Sequence, residues 1–496
     1  MQRKDSIEEL KIEDLYTLLA QHPQIKVIQK CLLHKTDTHL WLSGLCGSAR
    51  SVILHAIGEP MVVVMENQDE AQYCFADLQT LGAEVMYFPT SRRRRQGTDE
   101  AMVIQRTEVL EAAISSQQSA ISPKYIIVTY PEALAEEVPA RDNLSKATVQ
   151  VQTGQQIAQT KLCEQLAELG FERVDFVYEP GQYAVRGGIV DVYSYANDDP
   201  YRLDFFGNEV DTIRTFDIEN QLSKERVSHA ALIGTSPTDD VSSTALLQDY
   251  LPEDIIWASD DWSVCKFKFQ DSGFQNSNIE SKRTIEIGAK SYFTTYTEIG
   301  FKTLPQPAFN KNFDLLADDL RERIADGYHI YILADQKKQT DRLAAIFESL
   351  QTAAPIAFTP VDKTLHAGLI DKEAKICCYT DHEIFERYHR VTLRSENARR
   401  GKAVLTLKEI NQLRLGDYVV HSDHGIGQFG GLVVTPVNGK PQEMIKLTYR
   451  DGDTIFVSIH NLHRISKYKG REGSAPTISK IGSGAWERLK ERTKDK

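Results

Sequence analysis

The segment GLCGSARS, Gly44 to Ser51, lies between an apolar strand and a helix, where a phosphate-binding loop would sit. Such a loop needs glycines that expose backbone N–H groups, a lysine reaching the terminal phosphates, and a Ser or Thr on magnesium. Here Ala49 stands at the last glycine position and Arg50 at the lysine position, so only Ser51 fits. The planar guanidinium fork is a poor substitute for a compact ammonium inside a tight turn. No metal-binding acidic run is expected after an apolar strand either, because IIVTYPEAL offers a tyrosine and a proline. Gly44, Gly47, Arg50 and Ser51 therefore read as a degenerate, non-hydrolysing P-loop, the alternative being a working ATPase.

Other polar clusters carry less chemistry. Arg92, Arg93, Arg94 and Arg95 form a basic run after a strand, either a contact for nucleic-acid phosphates or a solvated loop. His421 and His424 lack a third metal ligand nearby, so no metal site is expected. No nucleophile–base pair is evident. In YRLDFF, alternation puts Tyr201, Leu203 and Phe205 on one face and Arg202, Asp204 and Phe206 on the other. An arginine beside a large aromatic on an outer face is the composition of a protein-binding patch, unless a neighbouring element covers it. The apolar, nearly uncharged QFGGLVVTPV is either an interior strand or an edge that accepts a partner's strand.

These residues need scaffolds, and the chain is long enough for several. Its 496 residues suggest roughly three to five domains. A net charge of −12 argues against a nucleic-acid coat protein. Seven scattered cysteines without CxxC spacing fit reduced thiols and no zinc site. No signal peptide or membrane span is expected, and the protein reads as cytoplasmic. The pattern predicts a multidomain α/β protein. Residues 1–147 alternate strands and helices as in a parallel sheet, and 148–233 form a small inserted α+β meander. Residues 234–308 read as mixed apolar helix-like pieces ending in a polar loop, and 310–405 as a second, small α/β domain. Residues 410–475 predict a small β-barrel of about five strands. Residues 476–496 begin a helix that reaches Lys496 without a capping signal, so a downstream region is expected.

Two blocks carry a family resemblance. EPGQYAVRGGIVDVYSYANDDPYRLDFFGNEVDTIRTFD resembles the second domain of the excinuclease component UvrB and of the bacterial transcription-repair coupling factors, the Mfd family. LRLGDYVVHSDHGIGQFGG, KLTYRDGDTIFVSIHNLHRISKY and SGAWERLK resemble the CarD-like RNA-polymerase-interacting domain of the coupling factors, which UvrB lacks. Together, in this order, they resemble the N-terminal half of a coupling factor.

The resemblance implies UvrB-like domain 1A at 1–147, domain 2 at 148–233, domain 1B at 234–308, domain 3 at 310–405, an SH3/Tudor-like polymerase-interacting barrel at 410–475 and a truncated linker helix at 476–496. It further implies binding of UvrA, another component of the excinuclease, through Arg186, Arg202 and Phe206. Leu432, Val433, Val434 and Thr435 align with the strand expected to pair with the RNA polymerase β subunit. Relatives often carry leucine where this chain has Thr435, which leaves backbone pairing as the contact to look for. The family's translocase domains would follow Lys496 and hold its ATP, magnesium and most of its double-stranded DNA contact. This chain is thus expected to bind without catalysing and without a cofactor of its own. The alternatives are a UvrB-like nucleotide-dependent damage verifier and a CarD-like regulator that binds polymerase only.

Overall fold

The computed structural model describes residues 9–34, 39–91, 93–94, 97–98, 100–118, 125–195, 197, 199–218, 221–234, 244–269, 279–350, 356–387, 413, 415–421, 423–437, 440–458, 465–467, 478–481 and 486. The chain divides into two compact units, Met1–Lys146 with Pro237–Leu393 and Ala147–Ser236 with Arg394–Lys496. Among the described residues, no helix is long and apolar enough to cross a membrane, and no group of His, Cys, Asp and Glu could hold a metal ion.

The first unit is built on a seven-stranded parallel sheet. Its order is Thr297–Gly300, His39–Ser43, Thr284–Ile287, Ile256–Ser259, Met61–Val64, Ile126–Thr129, Val85–Tyr87. Strands Met61–Val64, Ile126–Thr129 and Ile256–Ser259 are buried at every position, as parallel strands covered on both faces must be. This corrects the helix-like reading of 234–308: three of its segments are strands of the first sheet. A run buried on both faces has no period of two, so its pattern resembles that of a buried helix. The polar loop expected there falls largely on 270–278, outside the described residues. Strands on either side of the 147–236 insertion thus complete one sheet.

A second, mixed sheet follows in the same unit, ordered Thr303–Pro305, Leu369–Asp371, Ile376–Thr380, His329–Leu333, Thr359–Val361. Helices Phe313–Ala325 and Lys337–Ser349 pack Leu316, Leu320, Leu343 and Phe347 against one face. The other face shares a core with the first domain: Leu333, Val361, Leu365 and Leu369 meet Ile12 and Leu15 of helix Ile12–Leu19 and Ala49 and Val52 of helix Ala49–Ile57.

In the second unit, residues 147–236 fold as the expected α+β meander. Its six-stranded sheet is ordered Ser223–Val227, Glu209–Phe216, Tyr201–Phe206, Ile189–Tyr193, Gln182–Arg186, Glu172–Arg173. Helix Gln159–Glu168 presses Leu162 and Leu166 onto one face, where Val190, Val192, Tyr201, Leu203 and Ile213 are buried. The region after 413 is a five-stranded antiparallel sheet, ordered Thr454–Ser458, Lys440–Thr448, Gly425–Val437, Tyr418–His421, Ile465–Lys467. Its core holds Val419, Phe429, Ile445, Leu447 and Val457. Of the linker helix expected at 476–496, residues 478–481 are not helical, Trp486 is, and the rest lies outside the described residues.

Candidate functional site

The outer face of the 147–236 sheet is organised by a carboxylate. Asp191 stands directly opposite Arg202 in the antiparallel register, and Ile189 opposite Arg186. The Asp191 side chain is only 1% exposed, and two arginines close over it. Arg202 donates in bidentate fashion, Nε to Oδ1 at 2.7 Å and Nη2 to Oδ2 at 2.9 Å, while Arg186 Nη2 donates to Oδ2. Arg202 Nη1 donates to the Gln221 carbonyl at 3.0 Å, and its guanidinium lies 4.4 Å over the Phe216 ring. Arg186 lies 5.1 Å over Phe176. A charged pair taken out of water persists only when its geometry and hydrogen bonding are complete, and here they are nearly so. The planar groups are thereby held in fixed orientations. Beside them Asp204 accepts from Arg214 and from Thr212 Oγ1, so the face alternates in sign across the strands.

Phe206 ends the same strand, next to the Gly207–Asn208 turn, and is 83% exposed. A register shift between Asp204 and Phe205 interrupts the ladder, yet Phe205 packs on the core and Phe206 points away from it, as alternation requires. The structure joins Arg186 to Arg202 through Asp191. Among the described residues, no hydrogen bond or ring contact joins Phe206 to either. Asp191 itself was missed from the sequence. Its signal is an acid in the apolar run IVDVY, which hairpin register places against Arg202. Leu222, 66% exposed and next to Gln221, is a second large apolar side chain that the sequence reading did not single out.

The strand Gly425–Val437 resolves the interior-or-edge alternative by being both. Residues 425–428 pair on one side with Tyr418–His421 and, at Gln428, on the other with Lys440–Thr448. Beyond a register shift between Phe429 and Leu432, residues Leu432, Val433, Val434 and Thr435 pair with Ile445, Met444, Glu443 and Gln442 only. Their second edge has no strand partner among the described residues. The histidine rings of His421 and His424 lie 4.7 Å apart beside the first half of this strand.

At the phosphate-loop turn, Gly44 and Gly47 have left-handed φ of 78° and 56°, and helix Ala49–Ile57 follows. Arg50 is fully engaged: Nη1 pairs with Asp260 and Nη2 with Glu70 at 3.1 Å, while Nε donates to the Gly47 carbonyl at 3.3 Å. Ser51 is buried, with its hydroxyl 3.4 Å from Asp77 Oδ2. Burial pushes the Asp260 and Asp77 carboxyls up to about 6. The expectation that no acidic run follows an apolar strand is corrected here. Asp260 and Asp261 follow Ile256–Ser259, two places along the sheet from the strand that feeds the turn. Its signal is the acid pair in IIWASDD, which is obscured because a strand buried on both faces shows no alternation. Of the arginine run, Arg93–Arg94 pairs with Gly97–Thr98 in a minimal hairpin, and Arg92 and Arg95 lie outside the described residues.

Comparisons with known proteins bear on these surfaces directly. The UvrB interaction domain family matches residues 149–237, the whole arginine-bearing meander. The CarD-like/TRCF RID domain family matches residues 413–469, the five-stranded sheet. A transcription-repair-coupling factor of Bacillus subtilis (strain 168) is 22% identical, over 97% of this chain and 49% of the relative. The chain is thus similar to transcription-repair-coupling factors. Coupling factors of Staphylococcus haemolyticus (strain JCSC1435) and Staphylococcus aureus (strain bovine RF122 / ET3-1) are 21% and 20% identical, over 69% and 68% of this chain and 37% of each relative. The chain thus spans about half the length, or less, of the coupling factors it matches.

Proposed function

We propose that this chain is the binding part of a transcription-repair-coupling factor and has no catalysis of its own. Residues 148–233 recruit UvrA through Arg186, Arg202 and Phe206. The small β-domain, an SH3/Tudor-like barrel on this reading, grips the β subunit of RNA polymerase through Leu432–Thr435. The observation that carries the reading is the Asp191-locked arginine pair on one sheet face, with the exposed Phe206 at the end of the same strand. Fixed guanidiniums and an exposed aromatic together make a pre-organised anchor, and pre-organisation lowers the entropy lost on binding. ATP and magnesium, and most contact with double-stranded DNA, belong on this reading to the remaining length of such a factor, in the cytoplasm. Arg50, tied to Asp260 and Glu70, supports the absence of nucleotide chemistry here. Capture of UvrA and of RNA polymerase by the 496-residue chain tests the reading. Both should be retained, with no ATP hydrolysis above background. Failure to retain either partner, or hydrolysis abolished by Ser51→Ala, would overturn it.

The polymerase contact makes its own prediction. Along a strand, successive backbone N–H groups point to opposite edges. Of Val434 and Thr435, therefore, one donates toward Lys440–Thr448 and the other toward the open edge. Proline removes the donor. One of Val434→Pro and Thr435→Pro should abolish polymerase capture while leaving the melting temperature nearly unchanged; the other should mainly lower the melting temperature. Thr435→Ala should change capture less than about twofold, because main-chain bonds carry the affinity in strand addition. A large loss with Thr435→Ala would move the contact from backbone to side chain.

A further inference from the structure

The phosphate-loop turn is already occupied, by this chain. Residues 364–368, which link two strands of the second sheet, run across it. Ala367 N donates to Ser48 Oγ at 2.9 Å, Ser48 N donates to the Ala367 carbonyl at 3.4 Å, and His366 N donates to Asp77 Oδ1 at 2.6 Å. The His366 ring stacks on Tyr73 with centroids 3.5 Å apart. The same loop is tied to its own domain, Thr364 N to Asp335 Oδ1 at 3.1 Å and Gly368 N to Glu383 Oε2 at 2.6 Å. Its approach is as close as glycine permits: a Cβ on Gly47 would stand 2.5 Å from the Gly368 carbonyl oxygen.

We propose that the phosphate-loop turn has become a clasp, in which loop 364–368 is the resident occupant of the anion's place and fixes the two α/β domains of this unit together without nucleotide. Three further observations support it. The space left among Ser48, Ser51, Asp77, Asp260 and His366 is about 10 Å³, the size of one water, whereas small-molecule pockets run to hundreds of Å³. The charge there is wrong for an anion, since Asp77, Asp260 and Glu70 face the single cation Arg50. Leu365 within the loop and Leu369 just after it are buried in one core with Ala49 and Val52 from the turn's own helix. Arg50 beside Asp260 thus replaces, with an internal ion pair, the ligand-borne charge that a working loop would bind. The clasp stands independently of the partner-binding reading.

Amide hydrogen exchange on the full chain tests it. In the wild type, the His366 and Ala367 amides should be strongly protected, and millimolar Mg-ATP should leave their exchange, and that of Ser48, unchanged. Ser48→Ala and Asp77→Ala, which remove the acceptors of Ala367 N and His366 N, should each speed exchange at the loop about tenfold, the scale of one lost buried hydrogen bond, with the Ile126–Thr129 amides unaffected. Free-peptide exchange rates at His366 and Ala367 in the wild type would overturn the proposal. So would any ATP-dependent change in protection at Ser48, His366 or Ala367, an arm that needs no variant to fold.

Discussion

Replacing Phe206 by alanine should weaken UvrA binding about 30-fold while leaving the chain's melting temperature unchanged. The side chain is 83% exposed and makes no hydrogen bond or ring contact among the described residues, so its removal opens no cavity. Its backbone pairs with Glu209 across the tight Gly207–Asn208 turn, which alanine does not disturb. A central aromatic anchor is typically worth about 2 kcal/mol or more when truncated, and about 2 kcal/mol corresponds to that 30-fold change. Equilibrium titration of UvrA against both proteins reads the first effect, and a thermal melt reads the second. A drop in melting temperature of several degrees would mean that Phe206 is packed, not presented.

Asp191→Ala should do both kinds of damage. Removing the carboxylate leaves Arg186 and Arg202 facing one another without a counter-charge, and the Arg202 side chain is only 12% exposed. Breaking a buried pair by deleting one partner typically costs about 3–5 kcal/mol, because the surviving charge stays buried and unpaired. Part of that penalty will be relieved by Arg186, which at 34% exposure can swing toward water. The same swing frees its guanidinium from the binding geometry, so UvrA affinity should fall at least as far as in Phe206→Ala. Hydrogen exchange at Ile189–Tyr193 measures the local stability, and the UvrA titration measures the affinity. Asp191→Asn, which keeps one acceptor, should lie between the two. If Asp191→Ala retained full UvrA affinity, the shared carboxylate would be a packing device and not a positioning residue.

Elements of this chain differ in how plainly the sequence displays them. The separation of Arg202, Asp204 and Phe206 from Tyr201, Leu203 and Phe205 was legible because successive strand residues point to opposite faces of the sheet; that Arg202 is largely covered and only Phe206 stands exposed was not. The meander, the second α/β domain and the five strands after 413 were legible for the same kind of reason, through turn residues and periodicity, although Gly425–Val437 is far longer than the short strands expected there. Strands Ile256–Ser259 and Thr284–Ile287 were not, since burial on both faces erases the alternation. Losing them also hid Asp260, and with it the partner of Arg50. The Asp191 bridge needs pairing register, which a single strand's pattern does not carry. Loop 364–368 crossing the turn depends on a contact 319 residues apart in sequence, from His-Ala-Gly residues with no pattern of their own. The half-open strand at Leu432–Thr435 was visible as an uncharged run, but its two different halves are set by the shorter length of its neighbour Tyr418–His421.

The most direct test is one titration series of UvrA against the wild-type chain, Arg186→Ala, Phe206→Ala and the Val434/Thr435 proline variant that spares folding. The wild type and the proline variant should bind alike, and the other two should each lose about tenfold or more. Equal affinity in all four, or loss confined to the proline variant, would contradict the assignment of UvrA to the Asp191-centred face.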